Sequence, residues 1–502
     1  LRGSNSNHVL VLIDGVRAAA AGTGAFAWEL MDVALIERIE IVRGPRAARW
    51  GSDAIGGVIQ IFTRRPDGLN LRAGYGSFDD RRLAAGLGSR QAGLMVSGRR
   101  VGGFSAQNEG GFAFDPDDDG FEIMSAVGGG AHRIGLGVLD WHVRLADGET
   151  EFDEGISDVT NYAAALDYEL DIRGDWRWSA NAALYRDRLE TTTAFGESEN
   201  ITRRVQAGVL AERELAPGDH WLLGVDAWSE SGVSRGSWSD SRYNIGVWTG
   251  LDGRRGRIDY EASIRADRDE TFGSAVTGNL AGGWRPSEDW RLFASVGRAF
   301  RAPNFSQLFS PGFFGAFAGN PDLDPETSSS AELGADWQLS PSSRLTLSLF
   351  QTRIDDLIDF AGENFQAINI RRAQVQGAEL AYRLNLERWR LQAQVTRQEA
   401  EDRDTGLALL RRPDEKAAAS LDRRFAGGHL LGVELIYTGR RFDIGQTALP
   451  SYVLINLRGG WQLTESLRLE GRIENAADRF YEPALGFNAA ERSVFVALDF
   501  RR

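Results

Sequence analysis

From Leu69 onward the chain repeats with a period of two. Leu467, Leu469, Gly471 and Ile473 alternate with Arg468, Glu470, Arg472 and Glu474, and Leu345, Leu347 and Leu349 alternate with Thr346 and Ser348. Leu69, Leu71, Ala73 and Tyr75 share one face while Asn70 and Arg72 point the other way. Successive strand residues face opposite sides, so this is sheet that is wet on one face only. No apolar run approaches the roughly 20 residues that a membrane helix needs. A mean hydropathy of −0.31 nevertheless coexists with 59 Gly, 14 Trp, 10 Tyr and 26 Phe. A transmembrane barrel reconciles these, because lipid-facing apolar and lumen-facing polar residues average out along each strand. A soluble β-protein would show the same alternation, but a solenoid or propeller needs a fixed internal repeat, and none recurs at constant spacing.

Turn signals punctuate the alternation at Asp147-Gly148, Pro217-Gly218-Asp219, Asp252-Gly253, Pro286-Ser287 and Pro341-Ser342. At about 20 residues per strand and connection, the chain beyond residue 68 gives roughly 22 strands. The predicted fold class is therefore all-β, a transmembrane antiparallel barrel. So wide a barrel leaves a lumen that has to be filled.

The remaining composition mostly excludes. Lys plus Arg is 57 and Asp plus Glu is 71, a formal charge of −14, which argues against nucleic acid as a partner. The absence of Cys removes disulfides, thiolate metal sites and Cys nucleophiles together. The five histidines, His8, His132, His142, His220 and His429, include no pair at metal-ligand spacing and read as structural or solvated. No HExxH occurs, and nothing else supports an enzyme.

The first 68 residues are different in kind. His8 to Ile13 reads as an apolar strand ending at the turn Asp14-Gly15, and Ala18 to Gly24 as a flexible loop. Ile39 to Val42 is a short strand stopped by Arg43-Gly44-Pro45, and Val58 to Thr63 is another, beyond Gly51, Gly56 and Gly57. The glycines lack the Lys-Ser or Lys-Thr of a phosphate loop. Physically this is a small α/β module.

As a string, IERIEIVRGP followed by WGSDAIGGVI, over Ile36 to Ile59, closely resembles the plug domain of TonB-dependent outer-membrane receptors, with Trp50 where that family usually has Tyr. Arg2-Gly3 and Val9 to Arg17 fit the same pattern. Further on, Gly297 to Glu326 resembles the family's mid-barrel FRAPN and GNPDLDPE signature, and Ile473 to Tyr481 its NLFDKxY motif, with Ala476-Ala477 replacing Leu-Phe. The family's terminal aromatic would be Phe500, followed here by Arg501-Arg502. The resemblance implies a partial plug over residues 1–68 in the lumen of a barrel over 69–502, in the outer membrane of a Gram-negative bacterium. It also implies a small-molecule ligand and a TonB-type periplasmic energy transducer, whose binding box would precede Leu1. On this reading the chain is N-terminally truncated, with a signal peptide and about 70 further plug residues upstream. The strands at Val9 to Ile13, Ile39 to Val42 and Val58 to Thr63 would then lack sheet neighbours.

Asp115-Pro116-Asp117-Asp118-Asp119-Gly120 sets carboxylates at alternate positions before a Gly, a spacing suited to a hard cation. Ala126 stands where an EF-hand would place its bidentate Glu. From spacing alone a calcium loop and a solvated acidic loop stay equally open. Phe114 to Phe121 resembles the calcium-binding extracellular loop of the cobalamin receptors within this family, which implies calcium ligands at Asp115, Asp117 and Asp119, with Asp187 from the next loop. Asp355 to Phe360 and Ala408 to Arg412 resemble the same subfamily. That resemblance implies substrate contacts at Asn5, Thr23, Gly24 and Arg411, and energised uptake of cobalamin or a related corrinoid. By residue type alone, Arg411 reads rather as a lumen-facing charge without a ligand role. Gln446 stands where the cobalamin receptors have a contacting Tyr, which keeps a ferric-siderophore receptor as the alternative and a passive porin as a remote one.

Overall fold

The computed structural model of this chain describes residues 2–44, 47–171, 176–312, 316–361 and 364–502. Among them, twenty-two strands form one closed antiparallel barrel. The first, Gly68–Gly76, pairs with the last, Ser493–Arg501, in a register from Phe495 opposite Gly76 to Arg501 opposite Asn70. Closure leaves no free edge, which is what a sheet surrounded by lipid requires. Connections at one end are short, such as residues 135–136, 217–218 and 341–342. At the other end stand the long segments 105–118, 302–325, 403–414, 439–451 and 475–492. In outer-membrane barrels short turns face the periplasm and long loops the exterior.

The wall follows the alternation. In Leu467–Glu474 and Ser493–Arg501, Leu469, Leu498 and Val496 face outward while Glu470, Arg472 and Asp499 face the lumen. Trp178, Trp284, Trp290, Trp337, Trp389 and Trp461 are exposed near the short-turn ends of their strands. Trp290 stacks on Trp337 with ring centres 5.0 Å apart. This is the aromatic girdle of one membrane interface. Two expected turns are corrected: Asp147-Gly148 and Asp252-Gly253 lie inside the strands Gly137–Phe152 and Trp238–Arg255. Gly148 is paired on both sides, with Ile123 and Val159, and such long ladders absorb a dipeptide that elsewhere would turn.

Inside sits a four-stranded sheet of β1 (Val9–Ile13), β2 (Val16–Arg17), β3 (Ile36–Arg43) and β4 (Gly57–Thr63), in the order β2-β1-β4-β3. β1 and β4 are parallel, with Val9 opposite Gly57, and β3 runs antiparallel to β4. The expectation that these strands lack neighbours is thus overturned. The segment from 18 to 56 is long enough to return β4 beside β1, so the strands satisfy one another. Pro45, the expected stop after β3, and residues 313–315 of the mid-barrel motif lie outside the described residues.

The plug meets the wall through both apolar and charged contacts. Val11, Ile13, Leu35 and Ile61 pack with Met95, Val127, Ala163 and Tyr185 of the wall. Arg204 donates to the carbonyls of Arg17 and Ala19 at 3.1 and 3.3 Å, and Arg144 to that of Leu30 at 2.6 Å. Arg2 bridges Glu332 and Glu379 at 2.7 and 2.9 Å. The motif glycine Gly56 sits so close that a Cβ would collide with Ser4 Oγ and come within 2.8 Å of its Cβ. Gly56→Ala should therefore loosen the plug by about 1–3 kcal/mol through overpacking. Hydrogen exchange would show faster exchange in β1 and β4 with the wall unchanged; unaltered exchange in β1 would contradict this packing.

Candidate functional site

The plug loop between β2 and β3 rises toward the long-loop end and docks on a short helix, α1 (Phe305–Phe309). The amides of Phe305 and Ser306 donate to the carbonyls of Ala21 and Gly22, both at 3.1 Å. Asn304 caps α1 by accepting from Gln307 N at 2.8 Å, and its Nδ2 donates to the Thr23 carbonyl at 2.9 Å. Thr23 is exposed and its hydroxyl accepts from Ala25 N. Gly24 has φ +69°, a left-handed conformation that disfavours side chains. A Cβ there would lie 3.5 Å from Asn7 and 3.7 Å from Asn304. Thr23 and Gly24 thus form a tip held against the barrel.

Asn5 precedes the turn Ser6–His8 and lies on the same side of the plug, two residues from Asn7. Its Oδ1 accepts from Arg412. His8 is buried and sits 2.7 Å from Glu326, which Arg301 grips at 2.8 and 2.9 Å; Arg301 also donates to Gln307 of α1 at 3.2 Å. A continuous polar chain therefore ties the Asn5 turn to α1, on which Thr23 and Gly24 rest. Asn7 Oδ1 is buried with no hydrogen-bond partner.

Arg411 stands above, in the segment 403–414, with its Nε 3.0 Å from both oxygens of Asp443. Its side chain is 51% exposed whereas that of Asp443 is fully buried, so the guanidinium is anchored at one edge and open at the other. Asp443 also accepts from Ile444 N at 2.7 Å and Leu485 N at 2.8 Å. Burial works against its charge, yet those two amides and Arg411 hold the carboxyl below the usual aspartate range. Glu482, near Leu485, accepts from Asn108 at 2.7 Å. Asn488 donates to the Ser105 and Gln107 carbonyls at 2.9 and 2.8 Å. Four long segments are thereby joined into one roof. Phe317, Phe360 and Phe365 add an aromatic group, with centroids 5.8 and 5.5 Å from that of Phe317.

Sequence reasoning missed Arg412, Asn304 and Asp443. Arg412 reaches the plug, donating to the Gly3 carbonyl at 2.9 Å and to Asn5 and Leu410. It has no carboxylate partner among the described residues, and burial, together with Arg411, makes it less basic than usual. The doubled arginine at 411 and 412 was the available signal; nothing in the sequence said which one faces the plug. Gln446, with φ 57°, donates to the Ala408 carbonyl at 3.1 Å, which places it beside the Arg411 segment.

The four proposed calcium ligands do not come together. Asp115, Asp117 and Asp119 lie at the long-loop end, where Asp119 accepts from Ala106 N at 2.6 Å and Asp115 N donates to Asp153 at 3.0 Å. Asp187, expected in a loop, is buried in the strand Trp176–Thr193 and accepts from Asn161 at 2.9 Å. It pairs with Asn161, Asn161 with Ala146 and Ala146 with Ser125. That register puts it three strands over and six residues deeper than Asp119, about 20 Å along the strand direction. Among the described residues no three carboxylate or imidazole groups are arranged to hold a metal ion. The set as expected does not fit calcium.

Comparison with known proteins agrees with this geometry. Residues 1–58 match the TonB-dependent receptor plug domain, and residues 97–476 the TonB-dependent receptor-like β-barrel. A vitamin B12 transporter, BtuB, of Photobacterium profundum is 29% identical over 538 residues, spanning 100% of this chain and 85% of the relative. The ferric enterobactin receptor PfeA of Pseudomonas aeruginosa superposes with a TM-score of 0.84 at 16% identity, covering 100% of this chain and 91% of that one. The FrpB iron transporter of Neisseria meningitidis does so at 0.82 and 14%, covering 100% and 93%. These structures share the fold. With its plug, its 22-stranded wall and both family models matched, the chain belongs to the TonB-dependent receptors of the outer membrane.

Proposed function

We propose that this receptor takes up cobalamin or a related corrinoid, bound between the plug tip and the loop roof and driven by a TonB-type transducer. The supporting observation is the similarity, along the whole chain, to vitamin B12 transporters. The site is compatible with such a cargo. Asn5, Thr23 and Gly24 offer amide, hydroxyl and backbone groups from below, and Arg411 and Arg412 offer guanidinium donors from above. Mixed neutral donors suit a ligand rich in amides, and a guanidinium suits its phosphodiester. A ferric-siderophore cargo is the second reading, favoured by Gln446 in place of an aromatic and by the cationic pair at 411 and 412.

Equilibrium binding to the detergent-solubilised receptor separates them: saturable binding of cyanocobalamin at or below micromolar concentration, not displaced by ferric siderophores, is expected. Preferential binding of a ferric siderophore would reject the corrinoid reading. Arg412→Ala should weaken cyanocobalamin binding tenfold or more, about 1.4 kcal/mol, since it removes the link between roof and plug.

The depressed Asp443 carboxyl gives a pH dependence with a definite sign. A carboxylate stabilised in the folded state contributes fully above the ordinary aspartate pKa, and that contribution is lost as pH falls below about 4. Ligand affinity should therefore drop on acidification below about pH 4 as Arg411 and Leu485 N lose their partner. Asp443→Asn should bind weakly at neutral pH and show a flatter acid profile. An unchanged profile in Asp443→Asn would show that the roof does not depend on this group.

Calcium is proposed in a narrower form, confined to the loop, where the ion would have to draw together carboxylates that are not arranged around one point in its absence. Asp115, Asp117 and Asp119 stand beside Asp153, whose Oδ2 is buried without a hydrogen-bond partner, and beside Glu151, which accepts from Gly120 N at 2.8 Å. Calcium titration followed by hydrogen exchange should slow exchange in residues 105–121, and Asp153→Asn should abolish the effect. Slowing that survives Asp153→Asn but is lost in Asp187→Asn would overturn this assignment.

A further inference from the structure

Between plug and wall, in the half of the lumen nearest the short turns, lies a cavity of about 410 Å³. Its outer side is the inward face of Gly68–Gly76, Asp80–Gly88, Tyr452–Gln462, Leu467–Glu474 and Ser493–Arg501; its inner side is residues 32–34 and Arg64 of the plug. Arg72, Arg82, Arg458, Arg468 and Arg472 line it from the wall and Arg64 from the plug, with Arg501 at the short-turn end. Against these seven arginines the lining holds three carboxylates, Asp32, Glu470 and Asp499, in a chain of formal charge −14. The local sign is opposite to that of the whole molecule.

The available carboxylates are already shared. Arg72 holds Glu470 at 3.0 Å and Asp499 at 2.6 Å, and Glu470 also serves Arg468 at 3.2 Å. Arg82 and Arg458 are held from behind by Asp80 at 2.5 Å and Asp422 at 2.8 Å. Arg64 donates to the Ile36 carbonyl at 3.2 Å, and neither it nor Arg501 has an ion pair among the described residues. Arg468 and Arg472 turn Nε toward Glu470 at 3.2 Å and Glu474 at 3.5 Å, ion-pair distances without hydrogen-bond geometry. Burial, and then repulsion from Arg501, makes Arg64 less basic than usual, so its charge is one that a nearby anion would stabilise. Guanidinium groups that converge on an enclosed space with donors to spare match the oxygens of a phosphate group in charge and geometry.

We propose that this cavity binds a phosphate-class oxyanion, forming a second site on the inner side of the plug, distinct from the ligand site under the roof. The anion is either a phosphodiester carried by the cargo or free phosphate from the periplasm, and the site does not depend on which cargo the roof accepts.

Calorimetric titration of the full chain in detergent with inorganic phosphate tests it. Saturable binding is expected, weakened at least tenfold by Arg468→Gln with Arg472→Gln and unchanged by Arg254→Gln, an exposed arginine on another strand. Heat-modifiable gel migration checks that the barrel is intact. Should the double variant fail that check, Arg64→Gln, which alters only the plug side, should still weaken phosphate at least threefold. Repeating the titration with dimethyl phosphate, a simple diester, distinguishes the sources: binding comparable to that of inorganic phosphate identifies a phosphodiester as an occupant, and binding of inorganic phosphate alone identifies free phosphate. No saturable phosphate binding by the unaltered chain, or unchanged affinity in an intact variant, would overturn the proposal. Failure to bind cyanocobalamin would count against the cargo reading alone, since the phosphate titration is read without it.

Discussion

The pairing of Ser493–Arg501 with Gly68–Gly76 is the constraint on which the rest depends. In hydrocarbon an unpaired N–H or C=O has no water to fall back on and costs several kcal/mol, so the sheet has to close. Closure at twenty-two strands fixes a lumen too wide for side chains to fill. A wall of strands that alternate apolar and polar therefore creates the need for a separate plug, and that plug in turn supplies the floor of the ligand site.

The plug is held by polar groups as well as by apolar contact. Arg204, Arg144 and Arg412 donate to plug carbonyls, and Arg2 reaches Glu332 and Glu379 on the wall. Apolar contact is spread around the plug: Val11, Ile13 and Leu35 meet Met95 and Val127, Ile55 meets Ile354 and Leu357, and Leu30 meets Ile123 and Val159. Hydrogen bonds of this kind contribute modestly when they exchange with water, whereas a continuous apolar seal would cost about 25 cal/mol for every Å² exposed. The arginine-lined cavity borders this apolar contact, since Met95 lines both.

How far the sequence reveals this differs by level. The wall was legible because alternation in segments such as Leu467 to Glu474 comes directly from burying one face in lipid. Strand ends were less so: Asp147-Gly148 resembles a turn but continues a ladder, because antiparallel neighbours on both sides outweigh local preference. The plug motif marked β3 and β4 but not the pairing of β4 with β1, which joins residues about fifty apart. Asn5, Thr23 and Gly24 do share one side of the plug with α1 and Arg412. Asp187 shows the limit. Its residue type fits a calcium set, yet its depth is fixed by register with Asn161 and Ser125, which no local motif encodes. Arg412 and Asp443 were missed for the same reason: their partners lie on other loops and on the plug, as when Arg412 meets Asn5 across more than four hundred residues.

The reading proposed above places cargo between the plug tip and the loop roof. A structure of the detergent-solubilised receptor determined with cyanocobalamin tests it most directly. Ligand density is expected in contact with Thr23 or Gly24 below and Arg411 or Arg412 above, with the plug sheet in the lumen. Density confined to another surface of the barrel, or a lumen without the β2-β1-β4-β3 sheet, would contradict it.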